Sequence, residues 1–102
     1  MDRRLDLHEK LMELVGNKNV YFQPPASIHL SYPCVIYSLA AGRADYADNT
    51  VYRYINRYEV TFIFKQPNGD IIEEVLNSLP LCSVSRVYVA DNLNHYVFNT
   101  YY

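Results

Sequence analysis

The chain has 102 residues, half of them hydrophobic and a fifth charged, with a formal net charge of −2. That length supports one domain spanning 1–102, whose core forms without metal or disulfide help: size scaling buries about 65% of the unfolded surface. The mild acidity argues against a general nucleic-acid binder or a polybasic membrane module. No apolar run approaches the roughly 20 residues of a bilayer span, and the charged start lacks a signal-peptide core.

In chain order, Asp2 reads as the cap of a first helix running to Val15. Leu7, Leu11 and Leu14 fall at helical spacing, and Leu5, Met12 and Val15 widen the stripe. Gly16-Asn17 is the stop. Val20–Gln23 reads as a short strand ended by Pro24-Pro25, and Ala26–Pro33 as irregular. Cys34–Leu39 is a compact apolar strand, and Ala40–Thr50, rich in Ala, Gly, Asp and Asn, reads as a long loop. From Val51 to Lys65 the chain alternates. Tyr52, Tyr54, Tyr58, Val60, Phe62 and Phe64 share one side with Asn56. Arg53, Arg57, Glu59, Thr61 and Lys65 share the other, interrupted by Ile55 and Ile63. Period two over that length predicts a long strand with a core face and a polar face. Pro67-Asn68-Gly69 is a turn. Asp70 and Glu73 suit an Asp variant of the capping box, opening a helix with a stripe of Ile72, Val75, Leu76 and Leu79 stopped by Pro80. Cys82–Val89 and His95–Tyr102 predict a closing antiparallel hairpin around Ala90–Asn94. The whole reads as α+β: two helices packed on a mostly antiparallel sheet of about five strands, with one long β-hairpin loop.

Chemistry is hard to find in this pattern. His8, His29 and His95 are not spaced with one another or with Cys34 and Cys82 as metal ligands would be. The two cysteines form no C-x-x-C pair and read as small buried hydrophobes. His95 with Asp91 and one of the cysteines is the remaining acid–base and nucleophile set, without a family-type signature around either thiol. Gly16, Gly42 and Gly69 are isolated, unlike the clustered glycines of phosphate loops. Asp45, Asp48 and Asn49 lack the alternation and closing Glu of a calcium loop and read as turn residues. Residues 43–65 carry four cations against three acids, and residues 66–102 one against four, so no basic stripe forms. The reading is therefore no catalytic residues, no cofactor and no metal.

The remaining signal is an interaction surface. Eleven tyrosines and no tryptophan exceed what one small core can hold, and surface tyrosine is typical of protein–protein contacts. Long loops in small domains are usually functional or disordered.

Several segments together carry a resemblance: Asp2-Arg3-Arg4-Leu5-Asp6-Leu7-His8, Asn19-Val20-Tyr21-Phe22-Gln23-Pro24-Pro25, Tyr32-Pro33-Cys34-Val35-Ile36-Tyr37, Ala47-Asp48-Asn49-Thr50, Tyr58-Glu59-Val60-Thr61, and Ala90-Asp91-Asn92-Leu93-Asn94-His95-Tyr96-Val97-Phe98. In order and spacing the chain resembles the small tail-terminator, or tail-completion, proteins of long-tailed phages and prophages. The resemblance covers essentially the whole chain. It implies an α+β virion structural protein at the tail–neck junction, assembled in the host cytoplasm, with no enzymatic activity. Six copies would form a ring that stops tail-tube growth and offers a surface to the head connector, with the free protein monomeric before templated assembly. Its partners would be further copies of itself, the tail tube protein and the head connector or stopper protein, with no membrane and no specific nucleic acid. The close alternative is a head-side completion or stopper protein of the neck. A small non-viral interaction domain, a small enzyme or a nucleic-acid module stand further off. A ring needs two complementary patches per subunit. The candidates for ring or tube contacts are Arg43, Tyr46, Asp48, Asn49, Arg53, Arg57 and Glu59.

Overall fold

The computed structural model describes the backbone of residues 3–47 and 50–102 and the side chains of residues 4–42 and 55–102. The elements in order are α1 (Arg3–Val15), β1 (Val20–Phe22), β2 (Cys34–Ala47), β3 (Thr50–Phe64), α2 (Asp70–Ser78), β4 (Ser83–Ala90) and β5 (Leu93–Tyr101). This is the expected α+β fold. The five strands form one sheet in the order β1-β2-β3-β5-β4. Only β1–β2 is parallel; the other three pairings are antiparallel.

The helices pack on one face. Leu7, Leu11 and Val15 of α1 meet Ile71, Val75 and Leu79 of the α2 segment over Val35, Tyr37, Tyr58, Val60, Phe62, Tyr96 and Phe98 of the sheet. The period-two side of the long strand is therefore the core side at Tyr58, Val60 and Phe62, as its alternation predicts. Phe62 sits edge-on to Phe98, with ring centroids 5.8 Å apart. The buried Tyr37 keeps its hydroxyl satisfied by His8 Nδ1 at 2.8 Å and by Arg4, which donates at 3.3 Å. His8 is thus the partly exposed packing residue that its place at the stripe's edge suggests. Gly16 ends α1 at φ +80°, where a side chain is strained and glycine is not.

Several sequence expectations are corrected. Leu5 is exposed, because Leu7, Leu11 and Val15 already fill the narrow contact between α1 and the sheet. On α2 the buried stripe is Ile71, Val75 and Leu79; Ile72 lies beside it and Leu76 is exposed. A spacing of four fits the face better than the mixed spacing expected. No capping box forms: Gly69 is the N-cap, without a side-chain cap bond. The start of the helix is held instead by the turn, where the Asn68 N–H donates to Tyr96 Oη at 2.8 Å. The closing hairpin turns on two residues, Asp91 and Asn92, both at positive φ, so β5 begins at Leu93 rather than His95. Asp2, the expected cap of α1, lies outside the described residues.

The largest correction concerns Ala40–Thr50. Its described residues are strand rather than loop: β2 continues to Ala47 and β3 starts at Thr50, paired antiparallel. An irregularity between Ala40 and Arg43, opposite Arg57 and Ile55, breaks the alternation that would have revealed the strand.

Candidate functional site

The ribbon outruns the sheet. β1 pairs with β2 only as far as Tyr37, and β5 pairs with β3 only from Arg57 to Phe64. Beyond those points residues 43–47 and 50–55 pair with each other alone. At about 3.3 Å per residue this is an arm of roughly 20 Å. It explains the elongated shape, 51 × 28 × 23 Å with a radius of gyration of 14.7 Å, against about 13 Å for a compact chain of this length.

The sequence candidates divide between this arm and the sheet face away from the helices. Arg43 and Tyr46 lie on β2 within the arm, and Arg53 lies on β3 as the register partner of Asp45. Asp48 and Asn49 fall outside the described residues. Arg57 and Glu59 sit on the open face at the arm's base, as register partners of Ala40 and Ser38 on one side and Tyr101 and Asn99 on the other. Arg57 is committed within the chain: its Nε donates to the Ala41 carbonyl at 3.1 Å, across the irregularity in β2. That bond ties the base of the arm. Glu59 is exposed.

The open face carries a second set of rows. Cys34, Ile63, His95 and Tyr88 lie in register across four strands. Cys34, Ile63 and Val97 are buried here, so Ile63 is no defect in the alternation but part of a small apolar patch on this side. His95 stacks on Tyr88 with centroids 4.6 Å apart, and its Nδ1 meets the Leu93 carbonyl at 3.1 Å. Arg86 also lies over the Tyr88 ring, 5.1 Å from its centroid. Burial pushes both thiols up, Cys34 and Cys82 each to about 11. Both are therefore neutral near pH 7 and poor nucleophiles. Among the described residues, no three His, Cys, Asp or Glu side chains gather as metal ligands would, and no helix is long and apolar enough to cross a membrane.

Of the eleven tyrosines, Tyr37, Tyr58, Tyr96 and Tyr102 are buried. Tyr21, Tyr32, Tyr88 and Tyr101 lie at or near the surface. The other three, Tyr46, Tyr52 and Tyr54, belong to the arm strands. Tyr102 is an ordinary end to the last strand: its N–H donates to the Asn56 carbonyl, and Lys10 lies over its ring.

Sequence reasoning missed the outer edge, β4. Leu81 is 72% exposed, Val87 51% and Val89 68%, with Val84 and Tyr88 also exposed. Val84, Val87 and Val89 lie on the helix-bearing face, opposite Phe98, Tyr96 and Asn94, yet all three remain exposed there. Valines beside a tyrosine read as a buried strand; only the strand order shows that this one is an edge. Comparison with known protein families, with curated proteins and with solved structures finds no match.

Proposed function

We propose that this chain is a virion structural protein that caps the head-proximal end of a phage tail tube as a ring. It stops tube growth and presents the surface to which the head attaches. The observation that carries the reading is the hairpin arm. A two-stranded ribbon standing clear of its sheet is marginal in water and is stabilised when another surface covers it. The resemblance of the whole chain to tail terminators supplies the identity of that surface: neighbouring subunits or the tail tube.

The mechanism is steric and interfacial rather than chemical. The ring occupies the growing end of the tube, so no further tube subunit adds, and its other face meets the neck. Arg43, Tyr46, Asp48, Asn49 and Arg53 supply the arm's contacts, and Glu59 extends them onto the open face. Arg57 acts one step back, by fixing the arm's base. Each contact is weak alone; six on a sixfold template gain by avidity.

The test is co-sedimentation of the purified protein with separated tails and filled heads. Binding to tails that lack it, followed by competence to join heads, supports the terminator reading. Binding only to heads moves the protein to the neck as a completion or stopper protein. Binding to neither overturns both. Within the same assay, charge reversal at Arg53 is expected to impair joining.

A further inference from the structure

We infer that the outer edge of β4 is the seat for the hairpin arm of a second copy of this chain, which adds to it as a further strand. The inference deepens the ring reading and rests on it for its setting, but its argument is the inventory of unpaired strand edges.

The sheet has two lateral edges, and the chain treats them differently. On the β1 side the edge strand has three residues, and beyond it Gln23 Oε1 accepts the Leu39 N–H of β2 at 3.1 Å. That side is short and blunted. β4 has eight residues. Its first half is interrupted by a bulge between Val84 and Arg86 and carries Arg86, the strand's one charge. From Val87 to Ala90 it is regular and uncharged, with no proline or lysine, and Val87, Tyr88 and Val89 are exposed. Natural edges are guarded by such devices, and their absence over an exposed apolar stretch marks a strand that is paired in use.

The occupant is argued from the same chain. Besides β4 and the short β1 edge, the described arm strands, residues 43–47 and 50–55, pair only with each other, and they are long enough to match Arg86–Ala90, about 17 Å. The arm brings Tyr46, Val51, Tyr52 and Tyr54, and β4 brings Val87, Tyr88 and Val89. Aromatic and β-branched cross-strand pairs of this kind are among the favourable ones. One donor element and one acceptor edge per chain make a heterologous contact. Repeated head to tail and closed, it leaves neither element unpaired.

The experiment uses two full-length variants, each lacking one half of the contact. Val87→Lys charges the exposed edge and leaves the arm intact; Val89→Lys repeats this at a still more exposed position. Tyr52→Pro spoils the arm as an added strand and leaves the edge intact. Circular dichroism and thermal melting establish that each folds. Self-association is followed by sedimentation velocity up to about 1 mM protein, which detects contacts as weak as about −4 kcal/mol. Wild type is expected to associate, each variant alone to lose at least tenfold in affinity, and a Val87→Lys plus Tyr52→Pro mixture to form a one-to-one pair and nothing larger. The inference is overturned if wild type stays monomeric throughout, if either variant associates like wild type, or if the mixture does not pair. Tyr52→Pro dimerising alone identifies β4 meeting β4 instead. Pairing in the mixture without any binding to tails leaves strand addition standing and removes the tail-cap reading; tail binding without pairing does the reverse.

Discussion

Arg57→Met keeps the aliphatic stem and removes the guanidinium that holds the Ala41 carbonyl at 3.1 Å. The bond is solvent-exposed, so its net worth is about 0.5–1 kcal/mol, at the low end for a charged donor. The loss falls on the arm's base and not on the core, because Arg57 lies on the sheet face opposite Phe62 and Phe98. Global stability is therefore expected to change by less than about 1 kcal/mol. Local opening of residues 40–56 becomes easier by the same amount, and their amide hydrogens exchange about two- to fivefold faster, while Val60, Phe62 and Phe98 are unchanged. Hydrogen exchange read by mass spectrometry on peptides covering both regions checks this. Equal protection of the arm in wild type and Arg57→Met refutes the tie. So does a uniform loss across the sheet, which would put Arg57 in the global fold.

Three further outcomes follow from the core and its titrating groups. Phe62→Ala empties a fully buried site against Phe98 and is expected to cost about 3–5 kcal/mol, lowering the melting temperature by about 15 °C or more in calorimetry. His8 is held below its ordinary value, first by burial and then by the Arg4 charge. The folded state therefore binds its proton less readily than the unfolded chain. The His8 contribution is full above about pH 6.5 and is lost as the pH falls through the folded value, so His8→Gln flattens the acid side of a denaturant-derived stability curve. With both thiols pushed up to about 11, roughly 0.1% of each is thiolate at pH 8, against about a tenth in the unfolded chain. Alkylation in buffer is expected to be about a hundredfold slower than in urea, and equal rates would show that the two sites are open.

The legible parts of the sequence were those where one period dominates. Tyr58, Val60 and Phe62 declare a core face, and Leu7 and Leu11 declare a helix, because one side of each element is buried and the other wet. Ile71 rather than Ile72 takes the core position: the two are equally apolar, and only the facing sheet decides which one turns inward. The arm hides from the period-two pattern for a different reason. Ala40-Ala41-Gly42 combines weak strand formers with an irregularity in the ladder, and that erases period two where the strand leaves the sheet. The exposed edge at Val87 and Val89 was invisible in principle: apolarity reports a preference for burial, not whether the chain itself provides the cover.

The strand order decides which of the last two strands lies inside the sheet. β5 lies between β3 and β4, so Phe64 and Asn94 must close a long intervening segment before the sheet is continuous. The two-residue turn at Asp91-Asn92 makes β4–β5 a local pairing, of the kind that forms on the microsecond scale in isolated hairpins. β5 joins the rest of the sheet through β3, with its Tyr96 and Phe98 side on the core. A hairpin can join a sheet through only one of its two strands. With β5 inside, β4 is left outside, so its bare edge follows from the strand order.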